Sequence, residues 1–272
     1  MADQITVTLP DGSARQLPAG STASDLASSV GRRLAKAAVI ADVNGAERDL
    51  VWRLADGDSV AIITEESERG LYTIRHSTAH VLAQAVLDLF EGATFAIGPP
   101  IEDGFYYDFE LAGGATFTPE DLESIEARMR EIIDERQPFI RDEITDTLAL
   151  DVFKDHKYKC EIIRGAAEDP TSATEAGLVR TYENPPRFID LCRGPHVPDT
   201  GRLGHFKLMR VAGAYWRGDE KNPMLQRIYG TAWATRKDLD AYLHRLDEAQ
   251  RRDHRKLGSE LDLFSFPDKV GS

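Results

Sequence analysis

Two short segments hold the side chains of this sequence that are best suited to chemistry. His76 and His80 lie four positions apart, and so do Cys192 and His196. Imidazole and thiol groups can bind a metal ion or move a proton near neutral pH. A histidine pair on a helix is often only a boundary pair, but the chain has just seven histidines and two cysteines. Because three of the histidines and one cysteine fall in these segments, we interpret the two pairs as one site.

Periodicity predicts a helix around the first pair. Between 71 and 90, apolar residues recur at three- and four-residue steps, at Ala79, Leu82, Val86 and Leu89. At about 100° per residue, two imidazoles four positions apart lie one turn apart on the same side of a helix.

The second pair is predicted to come from a loop. Gly194 and Pro195 cannot continue a helix, and residues 187–191 have the character of a strand. We therefore expect Cys192 and His196 to follow a strand and to face the helix. The four side chains form an acceptable zinc set, although the two spacings match no closed structural zinc finger.

Length and composition are those of an ordinary globular protein. The residues are 42% hydrophobic and 29% charged. A length of 272 residues is enough for two or three domains. No apolar run approaches 18 residues and the start has no basic and apolar leader, so we expect no membrane span or secretory signal. Two widely spaced cysteines predict free thiols and a cytoplasmic location.

The charge balance restricts the nucleic-acid interpretations. A net charge of −13 argues against a general nucleic-acid coat protein. The basic run at 251–256 could still contact RNA, although a solvated helix face is the simpler interpretation.

Residues 1–66 are predicted to form a small β-rich domain. The predicted elements are, in order, strands at 5–9 and 14–17, a helix at 21–34 capped by Thr22 or Ser24, a hairpin turn at Asn44-Gly45, and a strand at 58–63. This is the order of a β-grasp, ubiquitin-like fold, and it resembles a TGS domain. The chain has no GxxxxGK[ST] loop, which excludes a GTPase, so we expect an accessory or RNA-contact module.

An acidic linker at 65–68 is predicted to lead into a larger α+β domain with an antiparallel sheet. The predicted elements after the helix at 71–90 are a strand at 104–109, a helix capped by Thr118 that ends before Pro138, a short helix opening at Thr145 or Asp146, a strand at 158–163, a loop at 164–177, strands at 178–183, 188–191, 207–211 and 224–229 with a turn at 213–218, and a long C-terminal helix from Thr235 to about Leu257. Tyr106 and Tyr107 face opposite sides of their strand, so one can line a pocket. Gly98 lets the backbone approach a bound group.

Five motifs, taken in order, resemble the N-terminal half of bacterial threonyl-tRNA synthetase. They are His76-Ser-Thr-Ala-His80, Gly104-Phe-Tyr-Tyr-Asp108, Asp190-Leu-Cys-Arg-Gly-Pro-His196, Gly213-Ala-Tyr-Trp-Arg-Gly-Asp219 and Met224-Leu-Gln-Arg-Ile-Tyr-Gly-Thr-Ala-Trp233. The set is highly specific and covers nearly the whole chain. One departure is Thr78, where many relatives have Cys.

The resemblance implies three regions. A TGS domain is expected at 1–66, and an editing domain with a SAD-type subdomain at 67–234. A linker helix and tail are expected at 235–272, toward a class II aminoacylation core. We expect this chain to lack that core and not to charge tRNA.

The resemblance also implies a function, post-transfer editing of tRNA. Serine lacks one methyl group of threonine, and such a difference gives only about 1–3 kcal/mol of discrimination, so a second site must remove mistakes. The implied reaction is hydrolysis of the ester that joins serine to the 3′-terminal adenosine of tRNA(Thr). No membrane partner is implied, and the full-length protein is expected to be a homodimer through its catalytic core.

Ester hydrolysis needs a placed water, a group that takes its proton, and donors for the oxyanion. We expect His76 to orient or activate the water. Lys159 matches the pocket lysine of the family and is expected to bind the carbonyl or a ribose oxygen. The expected substrate-binding residues are His80, Cys192, His196, Asp190, Gly98 and Tyr107.

No cofactor is expected to be required. Zinc held by His76, His80, Cys192 and His196 is the alternative, because the related alanyl-tRNA synthetase editing domain resembles a zinc site, whereas the threonyl family is thought to work without a metal. Two other functions stay open: a general zinc-dependent hydrolase, and a non-catalytic tRNA-binding fragment.

Overall fold

The computed structural model describes residues 4–165, 174–175, 177–186 and 188–252. Contacts divide the chain into two units, Met1–Ala234 and Thr235–Ser272.

The first unit begins with a β-grasp domain, as the sequence predicted. Its elements are β1 (Gln4–Thr8), β2 (Ala14–Pro18), α1 (Ala23–Val30), α2 (Arg32–Ala37), β3 (Ala38–Val43), β4 (Ala46–Asp49) and β5 (Val60–Thr64). β1 and β2 form a hairpin, β3 lies between β4 and β5, and Thr8 bridges Ser59 in parallel. Thr22 caps α1 by accepting from the Asp25 N–H. The single helix predicted at 21–34 is in fact two, because Gly31 is extended and ends the first.

The rest of the first unit is an α+β fold with antiparallel sheets, also as predicted. Its elements are α3 (Glu68–Leu89), β6 (Thr94–Phe95), β7 (Pro100–Ile101), β8 (Gly104–Glu110), α4 (Pro119–Asp134), β9 (Ile140–Thr145), α5 (Asp146–Val152), α6 (Lys157–Gly165), β10 (Thr174–Glu175), β11 (Leu178–Asn184), β12 (Phe188–Leu191), β13 (Phe206–Tyr215) and β14 (Met224–Ala232). One sheet has the order β13-β14-β8-β6, with β7 also paired to β8. In the other sheet, β9, β10 and β12 all pair with β11.

Helix α3 is the central element of this fold. It is buried along most of its length and packs against α4 and β8. Gly70, in its first turn, allows α3 to follow β5 closely, because a Cβ there would lie 2.0 Å from the Thr64 carbonyl oxygen. The apolar spacing that predicted this helix therefore reflects a core position.

The strand predicted at 158–163 is wrong, because these residues lie in helix α6. Tyr, Cys and Ile favour strands, but helical spacing buries Lys159, Cys160 and Ile163 together. Lys159 and Glu161 were expected on one face. Instead Glu161 points elsewhere and accepts a hydrogen bond from Trp216 Nε1 at 2.8 Å.

Strand β9 was not predicted, because its residues do not alternate between apolar and polar. Its backbone pairs with β11 over six positions. Arg180 of β11 forms an ion pair with Glu143 across the two strands. Arg141 pairs with Glu143 along β9 itself. Further along, β13 continues to Tyr215, so the first half of the turn predicted at 213–218 is strand.

The second unit contains helix α7 (Arg236–Arg251), capped by Thr235 as predicted. The predicted continuation to Leu257 and the basic residues 253–256 lie outside the described residues. So do 166–173 and 176 of the predicted loop, and Arg187 of the predicted strand. Within the described part of the chain, no helix is long and apolar enough to cross a membrane.

Candidate active site

The two predicted histidine and cysteine pairs meet between α3 and the loop after β12. Cys192 Sγ lies 3.1 Å from His76 Nε2 and 3.2 Å from His196 Nε2. The rings of His76 and His80 are 5.3 Å apart, and His196 lies 4.2 Å from His80. One possible ligand atom from each of the four lies within 4.8 Å of all the others.

The ring of His196 is fixed on two sides. Its Nδ1 lies 2.9 Å from Ser77 Oγ, which also accepts from the Val197 N–H. The ring stacks almost parallel on Phe139 at 4.7 Å. Donation of the Ser77 hydroxyl to Nδ1 would place the ring proton on Nε2, toward Cys192.

A buried ion pair lies beside this cluster. Lys159 Nζ is 2.5 Å from Asp190 Oδ1, and both side chains are only 2% exposed. The Tyr107 hydroxyl donates to Asp190 Oδ2 at 2.6 Å and accepts from Lys159 at 3.0 Å. His80 Nε2 lies 3.6 Å from the same Asp190 oxygen, which joins the pair to the cluster.

Gly98 leaves space for the ring of Tyr107. A Cβ at position 98 would lie 2.0 Å from Cδ2 of that ring, closer than side-chain atoms approach. Of the two tyrosines, Tyr107 is the one that enters the site, while the Tyr106 ring lies under Arg227.

Burial keeps the imidazoles neutral. It lowers the pKa of His76 to about 3, with His80 adding to this and Asp190 opposing it. Burial and the Lys159 ammonium lower the pKa of His80 to about 3. The pKa of His196 is also well below its usual value, because of burial and the other two imidazoles.

The donor types of the four-residue cluster fit zinc. Zinc binds His and Cys at about 2.0–2.3 Å, so its ligand atoms lie roughly 3.3–3.7 Å apart. The observed separations, within 4.8 Å, are close to that requirement. His80 Nδ1 is buried and has no hydrogen-bond partner among the residues that the structure describes.

Four residues that support the site were not singled out from the sequence. Ser77 lies inside the first histidine motif, which was its only signal. Phe139, Tyr182 and Asp49 come from distant segments and contact His196 only through the fold. No local pattern marks such contacts.

Gly98→Ala should destabilise the chain, because the new methyl group must displace the buried Tyr107 ring. Overpacking of this kind typically costs about 1–3 kcal/mol. The measurement is urea unfolding, with Gly204→Ala as control, since a Cβ at 204 has no atom within 4 Å. An unchanged midpoint for Gly98→Ala would show that Tyr107 can move without cost.

Comparison with known proteins identifies two domain families in the chain. Residues 5–64 match the TGS domain, and residues 179–229 match the threonyl and alanyl tRNA synthetase second additional domain. The second match includes Asp190, Cys192 and His196, but not the residues of α3 and α6.

Full-length relatives are similar to almost the whole chain. A threonine–tRNA ligase of Pelobacter propionicus is 53% identical over 270 residues, which are 98% of this chain and 41% of that protein. The corresponding protein of Maricaulis maris is 54% identical over 98% of this chain and 40% of its own length. That of Thermobifida fusca is 52% identical over 99% of this chain and 42% of its own length.

The chain spans about two fifths of the length of the curated relatives that it matches. It contains a TGS domain and an editing domain that matches the threonyl and alanyl tRNA synthetase second additional domain, and it is similar along nearly all its length to the N-terminal part of threonyl-tRNA synthetases.

Proposed function

We propose that this chain hydrolyses the ester between serine and the 3′-terminal adenosine of tRNA(Thr). The observation that carries the proposal is the cluster of three imidazoles and a thiol next to the Lys159–Asp190 pair. Its occurrence in a chain with TGS and tRNA_SAD matches favours an aminoacyl ester as substrate.

His76 orients the attacking water and receives its proton. It is the partly exposed member of the cluster, whereas His80, Cys192 and His196 are buried. Its neutral ring can accept a proton. Cys192 Sγ lies within hydrogen-bond distance of its Nε2 and orients the ring. Burial and His80 disfavour the charged form of the ring, and the Asp190 carboxylate offsets part of that cost during attack.

Lys159 supplies a donor for the developing oxyanion. Its Nζ donates to the Tyr107 hydroxyl, forms an ion pair with Asp190 and lies 4.5 Å from the Phe95 ring. In this proposal it also donates to the substrate carbonyl or a ribose oxygen. His80, Cys192 and His196 hold the water and the terminal ribose. Asp190, Gly98 and Tyr107 also bind the substrate, and Gly98 leaves room for the Tyr107 ring.

In this proposal the chain has three regions. The TGS domain occupies 1–66, the editing domain 67–234, and the linker helix and tail 235–272.

The pocket excludes threonine by crowding its methyl group. In the full-length protein, the catalytic core forms a homodimer. The chain works in the cytoplasm, in keeping with its two free cysteines.

Hydrolysis requires no metal ion in this proposal. Cys192 Sγ accepts from the Gly194 N–H at 3.2 Å and lies within hydrogen-bond distance of two imidazoles. If zinc bound, the four clustered residues would hold it, and it would lower the pKa of a bound water to about 7.

His76→Ala should lower seryl-tRNA(Thr) hydrolysis by about 10²–10⁴-fold, the usual contribution of a general base. Binding of tRNA should persist, because one neutral imidazole adds little to a large polyanion contact. The measurements are deacylation and tRNA binding, both with chelator present. Cys192→Ala is the matched control and should lose less activity. Equal losses in both variants, with stoichiometric zinc in the active chain and activity restored by zinc, would establish a metal mechanism instead.

The chain should hydrolyse seryl-tRNA(Thr) faster than threonyl-tRNA(Thr), because the pocket must reject the extra methyl group. The two esters are compared at one chain concentration at which the serine ester is clearly cleaved. Equal rates would favour a general esterase, and tRNA binding without hydrolysis of either ester would favour a non-catalytic fragment.

The deacylation rate should stay nearly constant between pH 5.5 and 7.0. For an imidazole with the ordinary pKa of about 6.5, the neutral fraction would fall about eight-fold as the pH is lowered from 7.0 to 5.5. The lowered pKa of His76 keeps the ring neutral throughout. kcat is measured for the wild type and for His76→Ala. A kcat about eight-fold lower at pH 5.5 than at pH 7.0 in the wild type, but not in His76→Ala, would contradict a neutral His76.

A further inference from the structure

Asp49, the last residue of β4 in the β-grasp domain, contacts the loop that carries Cys192 and His196. Its Oδ1 accepts a hydrogen bond from the backbone N–H of His196 at 2.9 Å. Its Oδ2 accepts from the Tyr182 hydroxyl at 2.7 Å. Both carboxylate oxygens are therefore used by the part of the chain that forms the site.

We propose that Asp49 is a positioning residue for hydrolysis, through which the β-grasp domain holds His196 and its loop in the geometry needed for reaction. This inference rests on the proposed function of the site.

Tyr182 extends the effect of Asp49 beyond one backbone hydrogen bond. Its ring lies 4.5 Å from the His196 ring, edge to face. Gly194 packs directly on its hydroxyl, since a Cβ at 194 would lie 2.0 Å from that oxygen. A shift of Tyr182 would therefore move Gly194 and His196 together.

Other contacts hold the two domains together without Asp49. Arg69 of α3 pairs with Asp42 at 2.8 Å and with Glu47 at 2.6 Å. Arg202 donates to the carbonyls of Ala35 and Lys36. Loss of the Asp49 carboxylate should consequently disturb the loop without releasing the β-grasp domain.

The side chain of Asp49 is only partly exposed, and its carboxylate is suited to accepting two hydrogen bonds. Burial raises the pKa of its carboxyl, while the hydrogen bonds from His196 and Tyr182 act in the opposite direction. A short, rigid acceptor with two oxygens can satisfy a backbone N–H and a hydroxyl at once. Asparagine keeps one such oxygen and can donate its amide to the Tyr182 oxygen.

The test compares Asp49→Ala, Asp49→Asn and Arg202→Ala in the whole chain with seryl-tRNA(Thr). Asp49→Ala should lower kcat about 10–100-fold, the loss that is typical when residues supporting a metal ligand are removed, with KM within two-fold. Asp49→Asn should recover most of this loss. Arg202→Ala, which removes a contact between the domains that involves neither His196 nor Tyr182, should leave kcat within two-fold.

Hydrogen exchange of the His196 amide is the second readout and does not depend on activity. Exchange should rise at least ten-fold in Asp49→Ala and stay near the wild-type rate in Arg202→Ala. Wild-type kcat in Asp49→Ala, or equal losses of kcat and melting temperature in Asp49→Ala and Arg202→Ala, would overturn the inference. If the wild type hydrolyses no ester, the proposed function fails, and the exchange rates alone then decide whether Asp49 holds the loop.

Discussion

The buried ion pair between Lys159 and Asp190 is the interaction on which the rest of the site depends. An unpaired charge at either position would carry a desolvation cost of several kcal/mol, so each side chain requires the other. Lys159 comes from α6, Asp190 from β12, and Tyr107 from β8 bonds to both. Three elements distant in sequence are thereby held at fixed separations. The histidine cluster lies against this frame through His80.

The site divides its charge in a way that suits ester chemistry. The ion pair carries both formal charges but is neutral as a unit, and burial keeps the three imidazoles neutral. In the proposed hydrolysis, a negative charge that develops on the substrate carbonyl oxygen would meet a Lys159 donor already in place, so little reorganisation would be needed.

Sequence patterns predicted the parts of this structure that arise from local physics. Apolar periodicity identified α3 and the side on which His76 and His80 lie, and Gly194-Pro195 identified a loop. Local propensity failed at α6, where core packing of Lys159 and Cys160 outweighs the strand preference of Tyr and Ile. It failed at β9 because pairing there depends on backbone and ion-pair contacts. Ser77 and Asp49 could not be assigned, since their contacts to His196 span more than a hundred residues.

Two buried residues of the β-grasp domain belong to the apolar cluster of the domain that follows, while its other buried apolar residues form a cluster of their own. Val39 and Ile40 of β3 are fully buried in the same cluster as Leu82 and Phe105. Burial of these two side chains should therefore couple the stability of the two domains across residue 66. A fragment cut at the end of the TGS match would expose that surface to water and become prone to aggregation. The choice of ends for an expressed fragment is thus a question of solubility as well as of homology.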